Sequence, residues 1–570
     1  MISLWKQEEA NKYKTDLDLR VYTSRLLGRD SSLVLHGGGN TSVKSSATNL
    51  FNETQDILYV KGSGWDLATI EAEGFAPVKI DMLLKMAELK ELNDPDMVKY
   101  QRLAMTNPSA PNPSVEAILH AIIPFKFVDH THTDAVVTIT NTENGEAKIK
   151  ELYGDKVLII PYIMPGFVLA KLIYDMTRDV DWSKLDGMVL MNHGLFTFND
   201  DAKKSYEKTI ELVDKAEKYI AKNKATLHVD KQSLHVELLE LASIRKEISN
   251  IKNRATISIL NDSDEAIYFS KQNIEIISQQ GPLTPDHVIR TKRVPVILGN
   301  DFKNNLEDYV KTYKQYFKEN KKDETLLNPA PNFAILKNGG TLSFGKNTKE
   351  AKIIKDINEH TFEAILKAEK LGGYKALSPA EIFEVEYWSL EQAKLKKSTS
   401  NPEFAGKIAI VTEATSEKAL AIAKMLNSKG AAIIALDVNP KVQSIFNKAD
   451  MIGLKCDTTS QEDIKKAITL AVKSFGGIDI LVNISSNEAT NNLVFQELDA
   501  FLKLGIDSNI INIINIITPN LDISDSNRSD IPRHTIVSGL NADTNNIAEL
   551  VCTMAGKTFL NTQDSKITLK

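Results

Sequence analysis

Two stretches of this chain repeat one pattern, and that repeat restricts the fold more than any other feature. VLMNHGLFTFNDDAKKSYEKTIELVDKAEKYI, starting at Val189, lines up with ILKNGGTLSFGKNTKEAKIIKDINEHTFEAIL, starting at Ile335. Both read as strand, Asn-x-Gly turn, short strand, polar turn and long helix with helical apolar spacing. Asn192 matches Asn338, Gly194 matches Gly340, and Phe198 matches Phe344. Gly339 stands where His193 stands. The pattern predicts a duplicated α/β unit in which only the first copy kept a histidine.

The chain has 570 residues, too many for one core, so three or so domains are expected. Residues 1–235 alternate apolar strands (ILYVKGS, AVVTIT, KVLIIP) with helices and form the first α/β domain. Residues 236–400 hold the second copy and end in the polar linker KLKKSTSNPEFAGK. Residues 401–570 open with KIAIVTEATSEKALAIAKMLNSKGAAIIALDV, a βαβ unit ending at Asp437 that predicts a doubly wound parallel sheet.

Net charge is −6, which gives no basic footprint for nucleic acid. No run approaches the ~20 apolar residues of a membrane span. The start is charged and lacks an apolar signal core, and two cysteines build no disulfide framework, so a cytoplasmic setting is expected.

Chemistry concentrates in the first segment. His130 and His132 in HTHTD lie two residues apart, so on an extended segment both imidazoles point the same way, and His193 in NHG can reach the same point from a turn. That is how a protein holds a divalent transition metal with a position left open. Only ten histidines occur in the chain. HGGGNTS at 36–42 and KGSGWD at 61–66 are glycine turns whose N–H groups can converge on an anion. PNPSVEAILH at 111–120 sets Ser114 at a helix start, with Glu116 just inside it and His120 one turn further on. His120 reads as a supporting residue. Asp286 and His287, side by side in GPLTPDHVIRTK, read as structural.

The motifs GGGNTS, KGSG, PSVE, HTHTD and NHG, in that order over about 200 residues, resemble the class II aldolase/adducin family of metal-dependent sugar-phosphate aldolases. The resemblance implies that His130, His132 and His193 bind Zn²⁺ or another divalent transition metal, and that Glu116 is the catalytic acid/base. It implies that Asn40, Ser63, Gly64 and Ser114 line a phosphate site. Val115 replaces a serine found in some relatives, which removes one phosphate-binding hydroxyl.

The 407–437 unit, with FGGIDILVNISS at 475–486, resembles the short-chain dehydrogenase/reductase family. The departures from that pattern fall where its cofactor would bind. Glu413, Glu417 and Ala419 replace the glycines of T-G-x-x-x-G-x-G, and N-N-A-G has become Asn483-Ile-Ser-Ser. No tyrosine follows Tyr387, so the Tyr-x-x-x-Lys pair is missing, although Lys557 remains. Asp437 and Asp457, the ribose and adenine neighbours in such a fold, read as ordinary strand-end and loop caps. The segment is expected to be degenerate and abbreviated, and NAD(P) binding is not expected.

The expected architecture is therefore α/β throughout: a class II aldolase-like domain, a second aldolase-like lobe and a C-terminal Rossmann-like doubly wound parallel sheet. This order of segments is similar to that of the bifunctional rhamnulose-1-phosphate aldolase/lactaldehyde dehydrogenase proteins. The resemblance implies cleavage of a ketose 1-phosphate to dihydroxyacetone phosphate and a short aldehyde by a homo-oligomer. Two other readings use the same residues: a metal-dependent sugar-phosphate epimerase, and a non-catalytic scaffold.

Overall fold

The computed structural model describes residues 1–234, 236–395, 402–485, 488–515, 533–538, 543–556 and 565–569. Lys557 and Ser486 lie outside the described residues. The chain divides into two compact units, each gathered from separate stretches. The first is Met1–Val229, Glu275–Val294 and Ile357–Lys397; the second is Asp230–Ile274, Pro295–Asp356 and Ser398–Lys570. No helix among the described residues is long and apolar enough to cross a membrane.

The first unit is built on a seven-stranded sheet. Its order is Phe75–Lys79, Thr54–Lys61, Asn40–Thr48, Phe127–Thr131, Gly194–Asn199, Gly187–Leu190, Val157–Ile160. Every neighbouring pair is antiparallel except the last, which is parallel. The helix Ala202–Lys222 follows the Gly194–Asn199 strand. Asp201 caps it by accepting from the Lys204 N–H at 2.9 Å, and Tyr206, Ile210, Val213, Ala216 and Ile220 form its buried stripe. All five residues of Phe127–Thr131 are buried. Its back is fixed by Arg20, whose guanidinium pairs with Asp129 at 2.5 Å, while Ser205 donates to the other oxygen of that carboxylate. Removing one member of so buried a pair costs about 3–5 kcal/mol.

The second unit repeats part of that plan. Its four-stranded sheet runs Ile257–Asn261, Gly340–Gly345, Phe333–Leu336, Val296–Leu298. This is the same order and the same sense of pairing as the four strands Phe127–Thr131, Gly194–Asn199, Gly187–Leu190 and Val157–Ile160. The hairpins share their register, Leu190 opposite Gly194 and Leu336 opposite Gly340. Asn192 and Asn338 both turn the chain in the left-handed region, at φ 56° and 62°. Asparagine tolerates that region better than other side chains do. Phe198 and Phe344 are both buried.

The rest of the second unit is an eight-stranded sheet in the order Asn447–Lys448, Met451–Lys455, Ala432–Asp437, Ile408–Val411, Ile480–Ser485, Asn509–Asn515, Arg533–Ser538, Ser565–Leu569. All neighbours are parallel except the two-residue edge strand. The seven parallel strands follow the doubly wound order, the last two included. IAIV and AIIALD are buried on both faces, as continuous apolar strands of a parallel sheet must be.

The two sheets of this unit share one apolar cluster, in which Leu260, Leu342 and Phe344 join Ile408, Ile410, Phe475 and Leu481. Arg245 crosses between them, donating to both oxygens of Asp479 at 3.0 and 2.6 Å and to the Gly406 carbonyl at 2.9 Å.

Candidate metal centre

Strand register builds the site. Asn40 lies opposite His130 on one side, and Phe196 lies opposite His130 on the other. The Phe196 ring stacks on the His130 imidazole, centroids 4.1 Å apart and planes 15° apart, and fixes its plane. His132 follows the end of the same strand. His193 sits in the turn after Asn192. One nitrogen from each of the three histidines lies within 4.8 Å of the others. The Nε2 atoms of His130 and His132 are 3.0 Å apart.

The protonation pattern suits a cation. His130 Nδ1 lies 3.2 Å from the Leu195 carbonyl, which can only accept, so the proton sits on Nδ1 and the Nε2 lone pair faces the centre. Burial, and then the neighbouring His132, hold His130 well below its usual range. Burial brings His193 down to about 3, against an opposing pull from Glu116. Neutral imidazoles are the ligand form. At Zn–N distances of about 2.0–2.1 Å, nitrogens around one ion fall within the span seen here. The residues fit a divalent metal.

Glu116 completes the centre. It precedes the helix Ala117–Ile122 and is buried. Its Oε2 lies 3.6 Å from His130 Nε2, and its Oε1 lies 3.8 Å from His193 Nε2. Oε1 is buried and makes no hydrogen bond among the described residues. Oε2 accepts from the Asn40 side-chain amide at 2.5 Å. The Asn40 carbonyl oxygen is in turn bonded to His120 Nε2, and His120 Nδ1 lies 2.7 Å from Ser42 Oγ. Burial holds His120 well below its usual range and so neutral. One proton assignment satisfies the whole chain: Ser42 donates to His120, His120 to Asn40, and Asn40 to Glu116. The supporting part read for His120 is thus a buried relay that ends on the carboxylate.

The three turns singled out in the sequence come together. Lys61 Nζ donates to the Gly37 carbonyl at 3.1 Å. The Ser63 N–H donates to the Asn112 carbonyl at 2.8 Å, and the Ser114 N–H to the Lys61 carbonyl at 3.1 Å. Gly62 bridges Pro113. Gly64 turns at φ 95°, where a side chain would be strained. Ser114 Oγ accepts from the Glu116 N–H at 3.2 Å. Asn40, by contrast, is committed to Glu116 and His120.

Two residues of this neighbourhood escaped the sequence reading. Lys61 is a buried cation joining two of the turns; its signal was its place directly before the glycines of KGSG. Asp286 lies 3.4 Å from His132 Nδ1 through Oδ1. It lies 154 residues beyond His132, so no local spacing could reveal it.

The register also shows what the second copy lost. Thr131 pairs with Leu195, and Asn261 pairs with Thr341 at the equivalent place. Leu260 and Asp262 therefore stand where His130 and His132 stand, alongside Gly339 for His193. Asp262 pairs with Lys473 at 2.7 Å.

In the dinucleotide-type unit, the backbone of the glycine turn persists without its glycine. Glu413 takes φ 48°. Burial, and then Asp437, push its carboxyl above the usual range. One oxygen of Asp437 accepts from the N–H and hydroxyl of Thr415, both at 2.8 Å, and the other accepts from the Asn439 N–H at 2.8 Å. Asp457 accepts from the Thr459 hydroxyl and N–H.

Three family models match successive stretches of the chain. Residues 19–220 match the Class II Aldolase and Adducin N-terminal domain, residues 235–395 the second domain of class II aldolases, and residues 407–527 the short chain dehydrogenase family. The chain thus belongs to the class II aldolase/adducin family, fused to a short-chain dehydrogenase domain. An uncharacterized oxidoreductase of Bacillus subtilis, YuxG, is 29% identical over 513 residues, covering 84% of this chain and 74% of the relative. An uncharacterized oxidoreductase of Staphylococcus aureus is 32% identical over 108 residues, which are 18% of this chain and 46% of that protein's length. Among solved structures, the N-terminal class II aldolase domain of a conserved Thermoplasma acidophilum protein is 42% identical, covering 39% of this chain and 99% of that one, with a TM-score of 0.36.

Proposed function

We propose that the chain is a metal-dependent aldolase that cleaves a ketose 1-phosphate of the rhamnulose 1-phosphate type to dihydroxyacetone phosphate and a short aldehyde. The observation that carries this reading is Glu116 Oε1, buried and without a hydrogen bond among the described residues, beside the cluster of His130, His132 and His193. His130, His132 and His193 would hold the ion, taken to be Zn²⁺. When bound, it supplies a Lewis acid that draws electron density from the ketose oxygens as the carbon–carbon bond breaks.

As that bond breaks, the hydroxyl on the departing carbon gives up its proton to become the aldehyde, and the carbon beside the ketone, left with negative charge, takes one up. Glu116 moves that proton: Asn40 fixes one carboxylate oxygen and leaves the other to face the substrate. The joined turns at Gly37, Ser63, Gly64 and Ser114, with Lys61 among them, would receive the phosphate. On this reading the protein works in the cytoplasm as a homo-oligomer.

The dehydrogenase-like domain, although its relatives carry oxidoreductase names, is read as having lost hydride transfer. Glu413 stands at a glycine conformation, Asp437 is engaged by its own turn, and no tyrosine follows Tyr387.

The test is incubation of the metal-loaded protein with a panel of ketose 1-phosphates. Dihydroxyacetone phosphate and free aldehyde should appear in equal amounts. Recovery of an epimer without aldehyde would refute the cleavage. Titration with NAD⁺ and NADP⁺ should show no micromolar binding; such binding would overturn the second part.

A further inference from the structure

We infer that Asp286, carried by the stretch matched to the second aldolase domain, is a positioning residue for the metal ligand His132; this rests on the metal reading above. His132 Nε2 faces His130 Nε2 at 3.0 Å, so its other nitrogen, Nδ1, points away from the centre. Asp286 Oδ1 lies 3.4 Å from that Nδ1. A carboxylate there keeps the proton on Nδ1, leaves the Nε2 lone pair for the ion, and makes the imidazole a stronger donor. His130 has the equivalent support from a neutral group, the Leu195 carbonyl. Asp286 supplies a negative charge instead.

The carboxylate is itself held. Thr284 Oγ1 donates to Asp286 Oδ1 at 2.6 Å, and Pro285–His287 form a short helical turn closed from the His287 N–H to the Thr284 carbonyl. The segment is anchored on both sides of the metal strand's domain: the Asn141 side chain donates to the Leu283 carbonyl at 3.0 Å, and the Tyr374 hydroxyl to the Gly281 carbonyl at 3.0 Å. The glycine turn lies against it. A Cβ on Gly38 would come within 3.5 Å of His132 Nδ1 and 3.9 Å of Asp286 Oδ2. The two carbonyl tethers and the Thr284 bond make Asp286 part of a built site rather than a surface acid that happens to lie near. The first-domain histidines are thus oriented by a residue from outside the stretch that contains them.

The test is titration of the full-length apoprotein with Co²⁺, read by the visible ligand-field bands and by competition with a chelator. Asp286→Ala should bind Co²⁺ about 10–100-fold more weakly than wild type, with altered bands. Asp286→Asn, which can still accept from Nδ1 but carries no charge, should fall between the two. Wild-type affinity and bands in both variants would overturn the inference. If Asp286→Ala fails to fold by far-ultraviolet circular dichroism, Asp286→Asn decides alone, and unchanged affinity overturns it. Failure of the wild type to take Co²⁺ would instead overturn the metal reading beneath it.

Discussion

Asn40 and Glu116 are joined at 2.5 Å by a bond in which the amide donates and the carboxylate accepts. The first sits on an inner strand opposite His130, the second at a helix start, and 76 residues separate them. The pair fixes the orientation of the carboxylate that lies beside His130 and His193.

Substitutions at these two positions should separate binding from chemistry. Glu116→Ala should keep its metal and lose about 10²–10⁴-fold in turnover. Asn40→Ala should keep Glu116 but let it swing, with a loss of about 10²-fold, the usual cost of misplacing a reacting group. Metal content measured beside turnover checks both. Normal turnover in the Glu116 variant would remove it from the mechanism.

His193→Gly imposes on the first copy the residue that the second copy already carries as Gly339. Because that turn folds with glycine at Gly339, the variant should fold and lose its metal. Circular dichroism and metal analysis are the measurements; full metal occupancy would show that two histidines suffice.

Much of this was legible in the chain. The repeated Asn-x-Gly turn was visible because a left-handed turn accepts few residues, and both copies use asparagine there. The histidine triad was visible because His130 and His132 lie two residues apart at the end of one strand. What stayed hidden depends on tertiary contact. Asp286 reaches His132 only through folding, and one His beside one Asp is ordinary in a sequence. The resemblance implied a place for Asn40 in a phosphate site, and its bonds to Glu116 and His120 appear only in the fold. The copy's further losses at Leu260 and Asp262 needed the pairing with Thr341 to be seen at all.

Gly194→Ala should damage the centre without touching a ligand. A Cβ there would lie 2.5 Å from the Thr131 carbonyl, 3.0 Å from His130 Cε1 and 3.1 Å from His132 Cδ2. Overpacking of this kind costs about 1–3 kcal/mol, and here it pushes two ligands apart. Weaker Co²⁺ binding together with a lower melting temperature is expected; an unchanged titration would show that the histidines can move aside.

Glu413→Gly should stabilise the protein by about 1 kcal/mol, because φ 48° suits glycine and strains glutamate. The pH response is a separate signature. The Glu413 carboxyl is raised in the folded state, so the native form holds that proton more tightly than the unfolded chain does. Its effect is therefore a loss of stability as pH rises from the ordinary glutamate value of about 4.3. Glu413→Gln should flatten that slope without relieving the backbone. Denaturant melts across pH 4–7 check the sign, and a steeper decline in the Gln variant would contradict it.

The second copy keeps the strand plan of the first without its histidines. Where the first copy has His130, its counterpart position holds Leu260, and that leucine belongs to the same apolar cluster as Ile410 of the parallel sheet and Phe475 of the helix Gln461–Phe475. The second copy packs against the parallel sheet. The family match changes near residue 400, yet the sheet of residues 257–345 before that point shares its core with the parallel sheet after it. A fragment cut at that point would carry away half of a shared interior, so neither ancestral piece can be exchanged for a cousin unless the other is redesigned with it.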